Sequence, residues 1–133
     1  MYLVDSNVLL DIVKAQEPFN EWSATALENA LIDGPVLINP IIYAEISIAY
    51  ASPADLDRVL ARLTIGRHDV PWAAAFLAGQ AFLQYRRQGG QKTAPLPDFY
   101  IGADAQISGF TLITRDARRY RSYFPALNLL TMD

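Results

Sequence analysis

Four acidic residues of this 133-residue sequence, Asp5, Glu45, Asp98 and Asp116, stand where a folded chain would place reactive groups. Asp5 follows the apolar run 2–4 and precedes a run that is apolar at helical spacing from Val8, so it falls between a short buried strand and a helix. Asp116 repeats that arrangement after Thr111-Leu-Ile-Thr-Arg115. Either aspartate could simply cap its helix, although Ser6 and Asn7 could also cap the first. Glu45 is harder to explain as a surface residue. In a helix opened by Pro40 its neighbours one turn away are Ile41, Ile42, Ile48 and Ala49, which puts a carboxylate in the middle of an apolar face. Such a group needs an arginine, a proton or a metal ion. Asp98, in Leu96-Pro-Asp-Phe-Tyr-Ile-Gly-Ala103, occupies a first helical turn, where the helix dipole favours an acid. The apolar residues that follow Asp98 bring that turn close to the core. Asp104 is about 240° further round the same helix and is expected at the surface.

Two parallel strands presenting carboxylates at one sheet edge would create strong repulsion. Two like charges about 4 Å apart cost roughly 4 kcal/mol at an effective dielectric near 20. A divalent cation such as Mg²⁺ or Mn²⁺ offsets this, because it takes oxygen ligands, keeps some of its water and can promote phosphodiester hydrolysis.

Composition closes several other routes. The chain has no cysteine and one histidine, His68, which excludes disulfides, thiol nucleophiles and two-histidine metal sites and leaves His68 a structural residue. At 52% hydrophobic residues it can build one core, and the whole of 1–133 is expected to be a single domain. No apolar run reaches the roughly 20 residues of a membrane span, and no signal-peptide pattern opens the chain, so a soluble cytoplasmic protein is expected. The net charge is −3, yet residues 1–57 hold nine acids and one base while residues 58–133 hold ten bases and five acids. That asymmetry either marks two different surfaces or is lost when the chain folds.

The elements that must position these acids alternate regularly. Strands are expected at 2–4, 36–38, 64–69, 110–114 and 127–131, and helices at 8–15, 19–32, 40–51, 53–63, 71–87, 97–108 and 116–120. Asn39 and Pro40 read as an N-cap and first helical residue, and Gly109 as a helix stop. Residues 91–96 read as a polar loop. Short apolar strands alternating with helices predict a three-layer α/β/α domain with a mainly parallel sheet of four to five strands. Trp72, Ala75, Phe76, Gly79, Phe82 and Leu83 form a stripe on the long helix that reads as core rather than a dimer face.

With these motifs in place the sequence resembles PIN domains, and among them the VapC-type ribonuclease toxins of type II toxin–antitoxin pairs. The resemblance rests on Val4-Asp-Ser-Asn-Val-Leu9, Pro40-Ile-Ile-Tyr-Ala-Glu45, Pro97-Asp-Phe-Tyr-Ile-Gly-Ala103 and Leu112-Ile-Thr-Arg-Asp116, and it covers nearly the whole chain. It implies a metal-dependent endoribonuclease in which Asp5, Glu45, Asp98 and Asp116 hold Mg²⁺ or Mn²⁺, directly or through water. Asn7 and Thr114 match supporting positions. It also implies RNA as substrate, a homodimer and a small inhibitory antitoxin, and an acidic groove suits an antitoxin that inserts a basic side chain. Ser6 stands where threonine is common, and Tyr120 where phenylalanine is more usual. The stretch 115–121 is unusually rich in arginine. Arg115, Arg118 and Arg119 are therefore candidate RNA contacts, as are Arg86, Arg87 and Lys92, although solvated helix ends would explain them equally. Two other functions remain open: a non-catalytic RNA-binding or protein-interaction module with a degenerate site, and a metal-dependent small-molecule phosphatase. The phosphatase is disfavoured by Asn7, which stands where such enzymes generally carry a second aspartate.

Overall fold

The computed structural model describes residues 1–89 and 96–132. Lys92 and residues 91–95 of the loop expected at 91–96 lie outside the described residues, while Leu96 opens a helix. Five strands form one parallel sheet: β1 (Tyr2–Val4), β2 (Val36–Ile38), β3 (Gly66–Arg67), β4 (Thr111–Ile113) and β5 (Leu129–Leu130). Their spatial order is β3-β2-β1-β4-β5. β1 is central, with Leu3 opposite Leu37 of β2 on one side and Leu112 of β4 on the other. Leu3, Val4, Leu112 and Ile113 are completely buried, as strands covered on both faces require.

Seven helices among the described residues flank the sheet: α1 (Ser6–Val13), α2 (Asn20–Asp33), α3 (Pro40–Ser47), α4 (Pro53–Arg62), α5 (Trp72–Arg87), α6 (Leu96–Ser108) and α7 (Arg118–Tyr123). The chain steps from β1 to β2 to β3 in one direction, then crosses to β4 and β5 in the other. Right-handed crossovers therefore place α1–α4 on one face and α5–α7 on the other. This gives the expected α/β/α architecture, with all strands parallel. The change of direction falls between β1 and β4, and in such sheets the crevice beyond those two strand ends is where ligands bind.

Local chemistry explains most boundaries. Asn39 caps α3, its Oδ1 accepting from Ile42 N at 2.9 Å, and Pro40 follows as the first helical residue. Ser52 caps α4 in the same way, accepting from Asp55 N. Gly109, at φ +73°, ends α6 in a conformation that residues with a Cβ adopt at a cost. Gly102 serves a different purpose. A Cβ there would meet the Phe124 ring at 2.6 Å and the Tyr120 ring at 3.0 Å, so the missing side chain lets α6 approach the end of α7.

Several expectations change. α3 stops at Ser47 instead of continuing to 51, which leaves Ile48 78% exposed and Glu45 only half-buried. α7 starts at Arg118, so Asp116 lies in the preceding turn and caps nothing. Only part of the α5 stripe is core: Phe82 packs edge-on against the buried Phe99 ring at 5.6 Å, whereas Trp72 is 92% and Phe76 72% exposed. The buried face of α5 is instead Ala74, Ala78 and Ala81, small residues that allow close packing along α6. Asp104 is not at the surface but completely buried. Its Oδ2 accepts from Asn39 Nδ2 at 2.9 Å, and its Oδ1 pairs with His68 Nε2 at 2.8 Å and accepts from Ser108 Oγ at 3.0 Å. His68 is thus structural. A buried carboxylate is tolerable here because it joins α6 to the ends of β2 and β3 through three partners.

Asp104→Ala strands those partners and is expected to cost about 3 kcal/mol. Urea unfolding monitored by circular dichroism should show a lower midpoint with an unchanged slope.

Candidate active site

Asp5 leaves the end of β1, its backbone N–H still continuing the ladder to Ile113 O at 2.9 Å. Its side chain caps α1, with Oδ1 accepting from Ser6 N at 2.8 Å, so capping and any chemistry fall on the same residue. Oδ2 accepts from Thr114 Oγ1 at 2.8 Å, Tyr120 OH at 3.0 Å and Asn7 Nδ2 at 3.4 Å. Thr114 follows β4, Tyr120 belongs to α7 and Asn7 to α1. The carboxylate at the switch point is therefore gripped by three separate elements. Thr114 Oγ1 also accepts from Asp116 N at 3.1 Å, which fixes the turn carrying Asp116.

Glu45 reaches the same place from α3. Ser6 Oγ donates to Glu45 Oε1 at 2.9 Å and lies 3.5 Å from Asp5 Oδ1, bridging the two acids. Glu45 has no cation partner among the described residues. Asp98, partly buried at the start of α6, accepts from Arg119 Nη1 of α7 at 2.6 Å. Asp116 is exposed.

Burial pushes the Asp5 carboxyl up from 3.8 to about 7, and the charges of Asp98 and Glu45 add to this. The Thr114 and Tyr120 hydroxyls oppose the shift by stabilising the anion. Glu45 is raised by burial and then by Asp98, against its Ser6 hydrogen bond. Asp98 is raised by burial and by Asp116, while Arg119 holds it down. Tyr120 is pushed well above its ordinary value by burial and then by the Asp5 charge, which keeps its hydroxyl a donor.

The donor set is entirely oxygen and carries excess negative charge, a chemistry that fits a hard divalent cation such as Mg²⁺ or Mn²⁺. Among the described residues, no three acidic or histidine side chains are grouped closely enough to hold a metal ion as they stand. Asp98 is turned instead to Arg119.

Two clefts flank the acids. One, of about 270 Å³, is lined by Tyr85, Asp116, Arg118, Arg119, Ser122 and Tyr123. The other, of about 290 Å³, runs from Ser6 and Asn7 towards Lys14, Phe19 and Arg115. Arg118 is thus well placed beside the acids, whereas Arg115 is not a free cation. Its Nε and Nη2 bind Asp11 at 2.7 and 3.1 Å. Arg86 and Arg87 are exposed at the end of α5, with Arg86 over the Phe82 ring. Three features escaped sequence reasoning: the Ser6 bridge, the Tyr120 donor and the Asp11–Arg115 pair. Tyr120 had a visible signal, a hydroxyl at a position where the resemblance makes phenylalanine more usual, but no separation along the chain announces that Asp11 meets Arg115.

A central parallel sheet with acidic side chains beyond its carboxyl ends defines an α/β protein with its candidate site at the switch point. The PIN domain family profile matches residues 2–124, and the chain belongs to that family. Its fold is similar to VapBC-1 from nontypeable Haemophilus influenzae, with a TM-score of 0.72 at 16% identity over 98% of this chain and 96% of that one. VapBC2 from Rickettsia felis, solved on a promoter DNA fragment, gives 0.68 at 19% identity over 99% and 98%. VapC20 of Mycobacterium tuberculosis, a Sarcin-Ricin loop cleaving toxin, gives 0.60 at 14% identity over 92% and 95%. No curated protein matches in sequence.

The raised carboxyl makes a prediction about stability. A folded Asp5 that keeps its proton to about pH 7 contributes stability that is complete below its unfolded value of 3.8 and lost as pH rises through 7. In chelator, the stability of the wild type relative to Asp5→Asn should therefore fall between about pH 4 and 7 and level off above. Thermal midpoints of the two proteins across that range measure it.

Proposed function

We propose that this protein is a Mg²⁺- or Mn²⁺-dependent endoribonuclease acting as the toxin of a type II toxin–antitoxin pair. The observation carrying this reading is Asp5: a buried carboxylate at the sheet's switch point, held by four donors and facing two further acids whose charges raise its pKa. A fold likeness to VapBC proteins supports it, as does the cleavage of the Sarcin-Ricin loop by one of them.

Asp5, Glu45, Asp98 and Asp116 would hold the ion, which supplies positive charge and an activated water for phosphodiester hydrolysis. The chain's own residues do the remaining work. Thr114, Tyr120 and Asn7 keep Asp5 in one orientation, so no reorganisation is needed during reaction. Glu45, with its raised pKa and no cation partner among the described residues, is suited to take a proton from the attacking water. Arg118 is exposed in the cleft beside Asp116, where a guanidinium can hold a substrate phosphate. Arg119 neutralises Asp98 and would compete for it with an ion. A toxin of this kind would act on RNA in the cytoplasm, and no helix among the described residues is long and apolar enough to cross a membrane.

Asp5→Asn and Asp98→Asn should each lower cleavage of total RNA at least a thousandfold while keeping a native circular dichroism spectrum, and EDTA should abolish wild-type cleavage. Full activity in EDTA defeats the metal mechanism. The Arg119–Asp98 pair and the absence of a ready three-carboxylate group among the described residues favour a second reading, a non-catalytic PIN module. Calorimetry discriminates, because that module would bind no Mn²⁺.

Two partners accompany the main reading. The antitoxin would place a basic side chain among the acids. The exposed Trp72 and Phe76 of α5 suit a homodimer interface, since large aromatic residues left in solvent are unfavourable. Phe76→Asp should convert a dimer into a monomer in sedimentation experiments, and a monomeric wild type would refute the assignment.

A further inference from the structure

Resting on the nuclease reading, we propose that the cleft between α1 and Arg115 is a subsite for an unstacked nucleotide next to the scissile phosphate, with Phe19 and Arg115 as the base platform and Lys14 as a phosphate contact.

Position comes first. Ser6 and Asn7 line this cleft and also bind Asp5, so it opens directly from the acids. A strand whose phosphate lies at Asp5 must put a neighbouring nucleotide either here or in the cleft beside Arg118.

The chemistry of the walls then selects the ligand. Arg115 is clamped in plane by both oxygens of Asp11, a residue only 2% exposed, and Ser23 Oγ donates to the same carboxylate at 2.9 Å. The guanidinium carbon lies 4.2 Å from the Phe19 ring centroid. A flat cation and an aromatic ring are thus fixed against one another at the cleft wall before any ligand arrives. Asp11 cancels the charge of Arg115, which makes it a poor anchor for a phosphate. Its Nη1 makes no hydrogen bond among the described residues, so it keeps donors for the carbonyl and ring-nitrogen acceptors of a base. Lys14, exposed at the end of α1, has no salt bridge among the described residues and supplies a separate positive charge at the rim.

Stacking surface, outward donors and one rim cation match a single-stranded nucleotide. They do not match the basic side chain that the neighbouring acids would attract. The RNA contact expected of Arg115 is on this reading a contact to a base.

The test is equilibrium binding of a fluorescein-labelled, random-sequence 12-mer RNA in EDTA, read by anisotropy. Phe19→Leu keeps the bulk that covers Arg115 but loses the ring, and should weaken binding about tenfold, within the range for loss of one base–aromatic stack. Phe19→Tyr should bind like wild type. Lys14→Ala should weaken binding several-fold and lower the slope of log affinity against log salt by about one. Unchanged binding and salt slope in Phe19→Leu and Lys14→Ala overturn the subsite, as does a wild type that binds no RNA. Lys14→Ala alters only an exposed side chain, so its salt slope decides the matter even if Phe19→Leu fails to fold. Wild-type cleavage with Mn²⁺ combined with unaltered variant binding would reject the subsite alone. Weakened variant binding without any wild-type cleavage would uphold a nucleotide site in this cleft but reject the nuclease, and with it the place beside a scissile phosphate.

Discussion

A carboxylate buried at the end of the central strand governs this molecule. Asp5 cannot be exposed to water without breaking the α1 cap, and it cannot be buried without donors, because an unsatisfied carboxylate inside a protein costs several kcal/mol. The fold supplies those donors from three directions. Thr114 must follow β4, β4 must lie beside β1, and α7 must lie close enough for Tyr120 to reach Oδ2. The last condition explains Gly102, since any side chain there would displace the Phe124 and Tyr120 rings. A glycine on α6 is thus linked through packing to the orientation of a carboxylate on β1.

Donors alone do not discharge the site. With Thr114 and Tyr120 both stabilising the anion, burial and the charges of Asp98 and Glu45 still hold Asp5 near neutrality. Among the described residues the chain relieves this only at Asp98, by bringing Arg119 to it. That pairing is an internal version of what a divalent ion, or a basic residue from another protein, would do at the same place. A site of this kind is stable enough to fold yet retains unbalanced charge, which is the condition under which a cation binds strongly.

The strands and helices were legible because buried parallel strands and capped helices leave direct marks: Tyr2–Val4, Val36–Ile38 and Thr111–Ile113 as apolar runs, Asn39-Pro40 as a start, Gly109 as a stop. The candidate acids were legible for a related reason, in that each interrupts or abuts an apolar pattern. Asp104 and the exposed part of the α5 stripe, Trp72 and Phe76, were misread because both inferences treated one helix in isolation. Asp104 faces the strand ends, where Asn39 and His68 await it, and no periodicity within α6 encodes that. On α5 the aromatic residues suggested a core face, but close packing against α6 selected the alanines. Side-chain size was the wrong guide where helices approach closely.

The division of charge along the chain acquires a structural meaning in the sheet order. The acidic first part provides β1 and the basic second part provides β4, and these strands are neighbours at the switch point. Asp11 and Arg115 therefore meet across a separation of 104 residues, and that pair is consumed in joining the two parts of the chain. Arg119 is drawn to Asp98 within the second part. The cations left beside the acids are then few, Arg118 on one flank and Lys14 on the other, while Glu45 keeps no cation partner among the described residues. Folding sets an acidic centre between two clefts, one lined by Arg118 and Arg119 and the other by Lys14 and Arg115, so a polyanionic strand laid across that centre would meet positive charge on both sides.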